Sequence, residues 1–285
     1  MTRLAIMSDL HIDSNHFEED ELQTLVQVLR DQKIDYLHIA GDISNDFEGL
    51  SKPFLERLTK DFEVTYNLGN HDMLGLSEEA IAELDFQQHQ IGQATLISFA
   101  GWYDYSFNPE ISYKDNLRHK NLYWFDRKLK RPADDIMLTK ASLEQLKDLV
   151  SSLSGPIIVA MHFVPHSHYQ TPYAKVDFLN SFLGSQSYHE VFKQHQVQDV
   201  VFGHIHWREE PHVFDGVTYH VRPLGYVREW QLVRDFFHLH PEIPYNRQQS
   251  PSKRFNAVKH LSEFQAYKAQ HLYKEFTSAM TIFDL

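Results

Sequence analysis

Short continuous apolar runs alternate along this chain with segments whose apolar positions recur every three or four residues. The runs at 3–7, 35–40, 62–68, 94–100, 157–161 and 199–202 predict strands, the one at 157–161 reading as a buried one. Leu22, Leu25, Val26 and Leu29 predict a helix, and residues 53–59 and 188–195 predict two more. Ser77, followed by Glu78 and Glu79, has the character of a helix N-cap with acids in the first turn. Ser142 with Gln145 resembles a capping box leading into Leu143, Leu146, Leu149 and Val150. Asp215-Gly216, between apolar runs at 212–214 and 217–221, predicts a tight hairpin. This alternation predicts an α/β layered fold.

Three stretches break the pattern. Residues 102–135 are long and aromatic, with Trp102, Tyr103, Tyr105, Phe107, Tyr113, Tyr123, Trp124 and Phe125. Seven Lys or Arg residues lie between 114 and 131. Aromatics interleaved with cations can stack a base and hold phosphate, so the stretch reads either as a lid or as a self-packed insertion with a solvated basic face. Residues 163–184 read as a shorter loop. Residues 229–278 read as an added segment, a Pro-containing loop followed by a weakly amphipathic helix near 256–276, and 280–285 as a final strand. The whole is expected to be a single domain, 1–285, carrying these additions.

Metal-ligand residues follow five of the apolar runs: Asp9-Leu10-His11, Gly41-Asp42, Gly69-Asn70-His71-Asp72, His162, and Gly203-His204-Ile205-His206. No one segment could hold an ion, but together they supply seven ligands and a spare histidine, the number a two-metal hydrolytic site needs. Asp9 with His11, and His204 with His206, are i, i+2 pairs that extended backbone would project to one side. Asp42 suits a bridging role because a carboxylate has two oxygens, and Asn70 offers a neutral amide oxygen. Gly41 and Gly69 suit tight turns or close backbone approach. The chain has no cysteine, which excludes disulfides and thiolate metal sites.

The ordered set Asp-x-His, Gly-Asp, Gly-Asn-His-Asp, His, Gly-His-x-His, spread over residues 9–206, resembles the calcineurin-like metallophosphoesterases. The resemblance implies two packed β-sheets flanked by helices, a four-layer sandwich. It implies two divalent cations (manganese, iron or zinc), one held by Asp9, His11, Asp42 and His206, the other by Asp42, Asn70, His162 and His204. It makes His71 the residue that contacts phosphate and serves the leaving group. The implied reaction is in-line attack on a small phosphodiester or phosphomonoester by a metal-bridging hydroxide. Two places depart from the family pattern. The position that often carries an Asp orienting the histidine is Asn45, which leaves Asp46 or Asp72 for that role. The usual turn after the last motif is replaced by Arg222-Pro223-Leu224-Gly225, making Arg222 a substrate candidate.

Composition changes this picture little. With 285 residues, 42% hydrophobic and 23% charged, the chain can bury a core. A formal net charge of −12 disfavours nucleic acid and anionic lipid as partners, though bound cations would still admit an anionic substrate. No apolar run approaches a membrane span and no leader precedes the run at 3–7, so a cytoplasmic protein is expected. Among 19 histidines, His166 and His168 lie close enough to His162 to be substrate-side candidates, while most others read as structural or surface residues. A non-catalytic scaffold on the same fold and a nuclease are the competing readings, and the oligomeric state is open.

Overall fold

The computed structural model describes residues 2–243 and 250–285. Its described strands are β1 (Arg3–Met7), β2 (Tyr36–Ala40), β3 (Glu63–Asn67), β4 (Gln87–Ile91), β5 (Ala94–Phe99), β6 (Ile157–Met161), β7 (Asp199–Phe202), β8 (Glu209–Phe214), β9 (Val217–Val221) and β10 (Thr281–Asp284). They form two mixed sheets, in the orders β10-β1-β2-β3 and β4-β5-β6-β7-β9-β8. Strands β1, β2 and β3 run parallel, as do β5, β6, β7 and β9, while β10, β4 and β8 pair antiparallel at the edges.

The period-two rule explains why the central strands are apolar throughout. Leu4, Ile6, Leu96, Ile158, Ala160 and Val201 fill the seam between the sheets. Their neighbours Ala5 and Met7 face the opposite way, into a core closed by helices Glu19–Asp31, Lys52–Leu58, Gln231–Leu239 and Ser262–Ser278. Ile97, Phe99, Ile157, Val159 and Met161 point to a second outer core under helices Asp135–Ser151 and Gln186–Gln194. The result is the expected four layers: helices, sheet, sheet, helices.

Ser77 caps helix Glu78–Leu84 by accepting from the Ala80 N–H. Asp215 (φ 50°) and Gly216 (φ 86°) form the β8–β9 hairpin with two left-handed residues, as such a turn requires. Ser142 is not a cap. Helix Asp135–Ser151 begins seven residues earlier, where Asp134 accepts from the Met137 N–H, and the Ser142 hydroxyl instead meets the Tyr188 hydroxyl at 3.0 Å. Strand β4, Gln-Gln-His-Gln-Ile, carried no apolar signal because it is an edge strand with alternate residues in solvent.

The described residues of 229–278 hold three α-helices rather than one: Gln231–Leu239, Pro251–Val258 and Ser262–Ser278. Residues 244–249 of the loop expected there lie outside the described residues. The stretch 102–135 contains helix Tyr113–Tyr123 and a 3-10 turn, Phe125–Lys128. Three of its seven basic residues are engaged with polar partners: Lys120 meets buried Asp135 at 2.6 Å, Arg131 forks onto Glu78 at 2.9 Å, and Arg127 donates to the Trp124 carbonyl. No helix among the described residues is long and apolar enough to cross a membrane.

Candidate metal centre

Each candidate ligand leaves the C-terminal end of a strand: Asp9 after β1, Asp42 after β2, Asn70 after β3, His162 after β6, His204 after β7. These strands are parallel within each sheet, so five loops meet at one rim of the sandwich, the usual ligand-binding edge of α/β sheets. The backbone there is not extended. Asp9 (φ 56°), His11 (42°), Asp42 (55°), His204 (74°) and His206 (57°) are all left-handed. Each such non-glycine residue costs on the order of 1–2 kcal/mol. The surroundings hold them there: Asp9 N–H donates to the Gly41 carbonyl, His11 N–H to the Asp42 carbonyl, and Gly225 N–H to the Asp9 carbonyl, each at 3.0 Å. The turns keep each i, i+2 pair on one side while buried Leu10 and Ile205 point into the protein.

Two glycines are required by this packing. A Cβ on Gly41, itself left-handed at φ 82°, would lie 2.7 Å from both the Gly69 nitrogen and His162 Nδ1. A Cβ on Gly69 would lie 2.2 Å from Asp42 Oδ1. The second and third ligand loops are therefore in backbone contact. Asp72 fastens them, accepting from the N–H groups of Ile43 (2.9 Å), Ser44 (3.0 Å) and Gly69 (2.9 Å). Burial, with the Asp42 carboxylate nearby, raises the Asp72 pKa to about 7.

The donors converge on Asp42. Its Oδ1 accepts from the His71 N–H at 2.9 Å, and its Oδ2 faces inward, 3.7 Å from His11 Nε2, 3.4 Å from His162 Nε2 and 3.9 Å from His71 Nε2. On one side of that oxygen, His11 Nε2 and His206 Nε2 lie 3.1 Å apart, and Asp9 Oδ1 is 3.2 Å from His206 Nε2. On the other, His162 Nε2 is 3.0 Å from Asn70 Oδ1 and 3.1 Å from His204 Nδ1. Asp9, His11, Asp42 and His206 form one group that could hold an ion, and Asp42, His162 and His204 another.

These spacings fit cations. An octahedral ion with bonds of about 2.1 Å sets adjacent donors about 3.0 Å apart. The pocket also favours positive charge. Burial alone would suppress imidazolium, yet hydrogen bonds and charge from Asp9 and Glu229 push His206 up to about 10, and Asp42 raises His162 to about 9. His204, buried beside His162, falls to about 3. Burial would raise Asp9, but His206 more than offsets that and brings it to about 2.

The outward nitrogens of three of these rings are anchored, as metal-ligating histidines generally are. His206 Nδ1 meets Glu229 Oε2 at 3.0 Å, His162 Nδ1 the Ala40 carbonyl at 3.3 Å, and His204 Nε2 the Phe182 carbonyl at 3.3 Å. His11 lies flat on the Tyr226 ring, with centroids 4.3 Å apart. Asn70 donates to buried Asp126 at 2.7 Å, which turns its amide oxygen to the site. Phe125 stacks on His71 at 3.7 Å.

The position that departed from the family pattern is the one that touches His71. Asn45 Oδ1 lies 2.9 Å from His71 Nδ1, and Asn45 Nδ2 donates to Asp13 Oδ2 at 2.7 Å. The bond to Asp13 fixes which way the amide faces. Asp46 does not take the role, since its carboxylate accepts from the Gly49 N–H, and Asp72 is engaged with backbone. Asn45, Asp13, Phe125, Asp126, Tyr226 and Glu229 were not among the sequence candidates. Of the three substrate candidates, His168 lies 3.7 Å from Glu209 Oε2, and Arg222 pairs with Glu210 at 3.2 Å on the β8–β9 ribbon. His166 stacks on Phe214 at 4.2 Å, its pKa lowered to about 4 by burial and by His189. The partners of all three lie outside the ring of candidate ligands.

Such a rim, where parallel strands of two stacked sheets deliver carboxylates, histidines and an amide to one pocket, is the architecture of a metallohydrolase. The profile of the calcineurin-like phosphoesterases matches residues 2–208, and the chain belongs to that family. Among solved structures it is similar to the phosphopantetheinyl hydrolase of Mycobacterium tuberculosis, with a TM-score of 0.64 and 18% identity over 88% of this chain and 98% of that one. It is also similar to a dimetal phosphatase from Danio rerio, with a TM-score of 0.50 and 14% identity over 77% and 86% of the two chains. Both likenesses concern the fold. No curated protein matches the sequence.

Proposed function

We propose that this protein hydrolyses a small phosphodiester or phosphomonoester with the help of two divalent cations. The observation that carries the proposal is Asp42 Oδ2, shared between two groups of donors that each have the spacing of a coordination shell. Asp9, His11, Asp42 and His206 would hold one cation, and Asp42, Asn70, His162 and His204 the other. His, carboxylate and amide donors suit manganese, iron or zinc. Such a pair, when bound, activates water at neutral pH and neutralises the charge that builds on phosphorus.

The residues of the chain do the rest. Two cations bring +4 and Asp9 with Asp42 bring −2, so the pocket remains attractive to phosphate although the protein as a whole is acidic. His71 faces Asp42 Oδ2 through Nε2 at 3.9 Å and would contact a phosphate oxygen. Asn45 fixes the ring from behind and Phe125 from its face. Asp72 is a positioning residue that keeps the Asp42 and Asn70 loops together. The stretch 102–135 acts as a partial lid through Trp124, Phe125 and Asp126.

A small substrate is favoured over nucleic acid because Lys120 and Arg131 are engaged in ion pairs and the net charge is −12. The scaffold reading has no broken ligand position to support it. The test is Asp42→Asn, assayed with manganese on nitrophenyl phosphate mono- and diesters beside the parent chain. The proposal expects loss of at least a hundredfold in kcat with retained folding. Undiminished hydrolysis would refute it.

A further inference from the structure

A second cluster of metal-ligand side chains lies away from the rim, where the loop of residues 163–184 meets edge strand β8. We propose that His168, Glu209 and His212 form a separate binding site for a divalent cation of the zinc class. Their donor atoms lie within 4.8 Å of one another. His212 Nε2 is 3.4 Å and His168 Nε2 is 3.7 Å from the same oxygen, Glu209 Oε2. Tetrahedral zinc with bonds of about 2.0–2.1 Å sets its ligands about 3.3 Å apart, so each histidine is within a few tenths of an ångström of the required distance from Glu209 Oε2.

The local fold is built for this convergence. Residues three apart on a regular strand face opposite ways. Between Glu209 and His212 the register with β9 slips, from Glu209 opposite Val221 to His212 opposite Tyr219, so three steps on β8 match two on β9. That bulge turns both side chains to one face, as bulges generally re-aim side chains. Trp207 Nε1 donates to Glu209 Oε1 at 3.0 Å, which occupies one carboxylate oxygen and leaves Oε2 for the histidines. The His168 ring packs against the rings of His212 (4.6 Å), Tyr169 (4.9 Å) and Phe214 (5.0 Å), while its backbone N–H donates to His166 Nδ1.

Two imidazoles and one carboxylate leave room for water at the remaining positions, and the three groups are 34–41% exposed, so a cation can enter. Bound there, it would staple the 163–184 loop to β8. That loop begins beside ligand His162 and ends beside Phe182, whose carbonyl meets His204. It is closed at its base by Val164 and Gly184. The staple would therefore stiffen the rim without contributing a donor to it.

The test compares the full chain with His212→Ala and Glu209→Gln. Metal is stripped by a chelating resin, zinc is restored by dialysis, and bound zinc is counted by elemental analysis. The parent is expected to retain one more equivalent per chain than either variant. Zinc is also expected to raise the Tm of the parent by more than that of the variants, and to slow amide exchange in residues 163–184 only in the parent. Manganese-supported hydrolysis of nitrophenyl phosphate should be unchanged in both variants. Equal zinc content in all three chains would overturn the site, whether or not any of them hydrolyses phosphate. Circular dichroism establishes that each variant is folded, and Glu209→Gln, which preserves shape, decides the case if His212→Ala is not.

Discussion

Replacing Asn45 by Asp would install the carboxylate that the family pattern favours, and in this chain it is expected to do harm. Asn45 Nδ2 lies 2.7 Å from Asp13 Oδ2, and the neighbouring Asp13 Oδ1 is buried without a hydrogen-bond partner. Asn45→Asp sets two carboxylate oxygens at that separation. The Coulomb repulsion is about 6 kcal/mol at an effective dielectric of 20 and about 1.5 kcal/mol in bulk water. Protonating one Asp at pH 7 offers an escape that costs about 4 kcal/mol. Both side chains are half-buried, so the expected destabilisation is about 2–4 kcal/mol, with His71 displaced and kcat reduced at least tenfold.

The exchanged double variant, Asp13→Asn with Asn45→Asp, again pairs one amide with one carboxylate and should recover most of the loss. Urea unfolding of the four chains gives the stability cycle, and kcat on a nitrophenyl phosphodiester gives the functional one. An Asn45→Asp chain as stable and as active as the parent would refute the reading of Asp13, Asn45 and His71 as one unit.

Two further outcomes follow from the same packing. Asp126→Ala frees the Asn70 amide to turn, and should weaken binding at the His162 side by about 10–100-fold in a metal titration while leaving the fold intact; unchanged metal affinity would remove Asp126 from the site. Burial, only partly opposed by the Asn67 hydrogen bond, lowers the pKa of His38 from 6.5 to about 4. The unfolded chain therefore binds a proton that folded His38 does not, so stability is fully present above pH 6.5 and falls by about 3 kcal/mol as pH drops toward 4. Urea midpoints across that range should show a shallower slope in His38→Gln than in the parent, the difference amounting to about 3 kcal/mol between pH 6.5 and 4.

The candidate ligands could be singled out in the sequence because each sits within four residues of the end of a strand, where a local motif and a local pattern coincide. Asp9, Asp42, Asn70, His162 and His204 needed only the rule that parallel strands end at one rim. The residues that orient them were not legible. Glu229, Phe125 and Asp126 reach His206, His71 and Asn70 from segments that broke the strand–helix alternation, and nothing local marks a residue whose partner is 23 to 56 positions away. Asn45 was visible only as a departure; Asp13, which makes sense of it, is 32 residues upstream. The errors in secondary structure have equally local causes. Strand β4 is too polar to signal burial, and Ser142 mimics a cap although Asp134 supplies the real one. Arg222 stood out only through its motif position, and its pairing with Glu210 across the hairpin had no local signal.

The central claim is that Asp42 sits between two cations. Anomalous scattering from crystals grown with manganese addresses it directly. The account predicts two peaks about 3.5–4 Å apart, one bounded by Asp9, His11 and His206, the other by Asn70, His162 and His204, with Asp42 Oδ2 between them. A single peak, or none among these side chains, would contradict it.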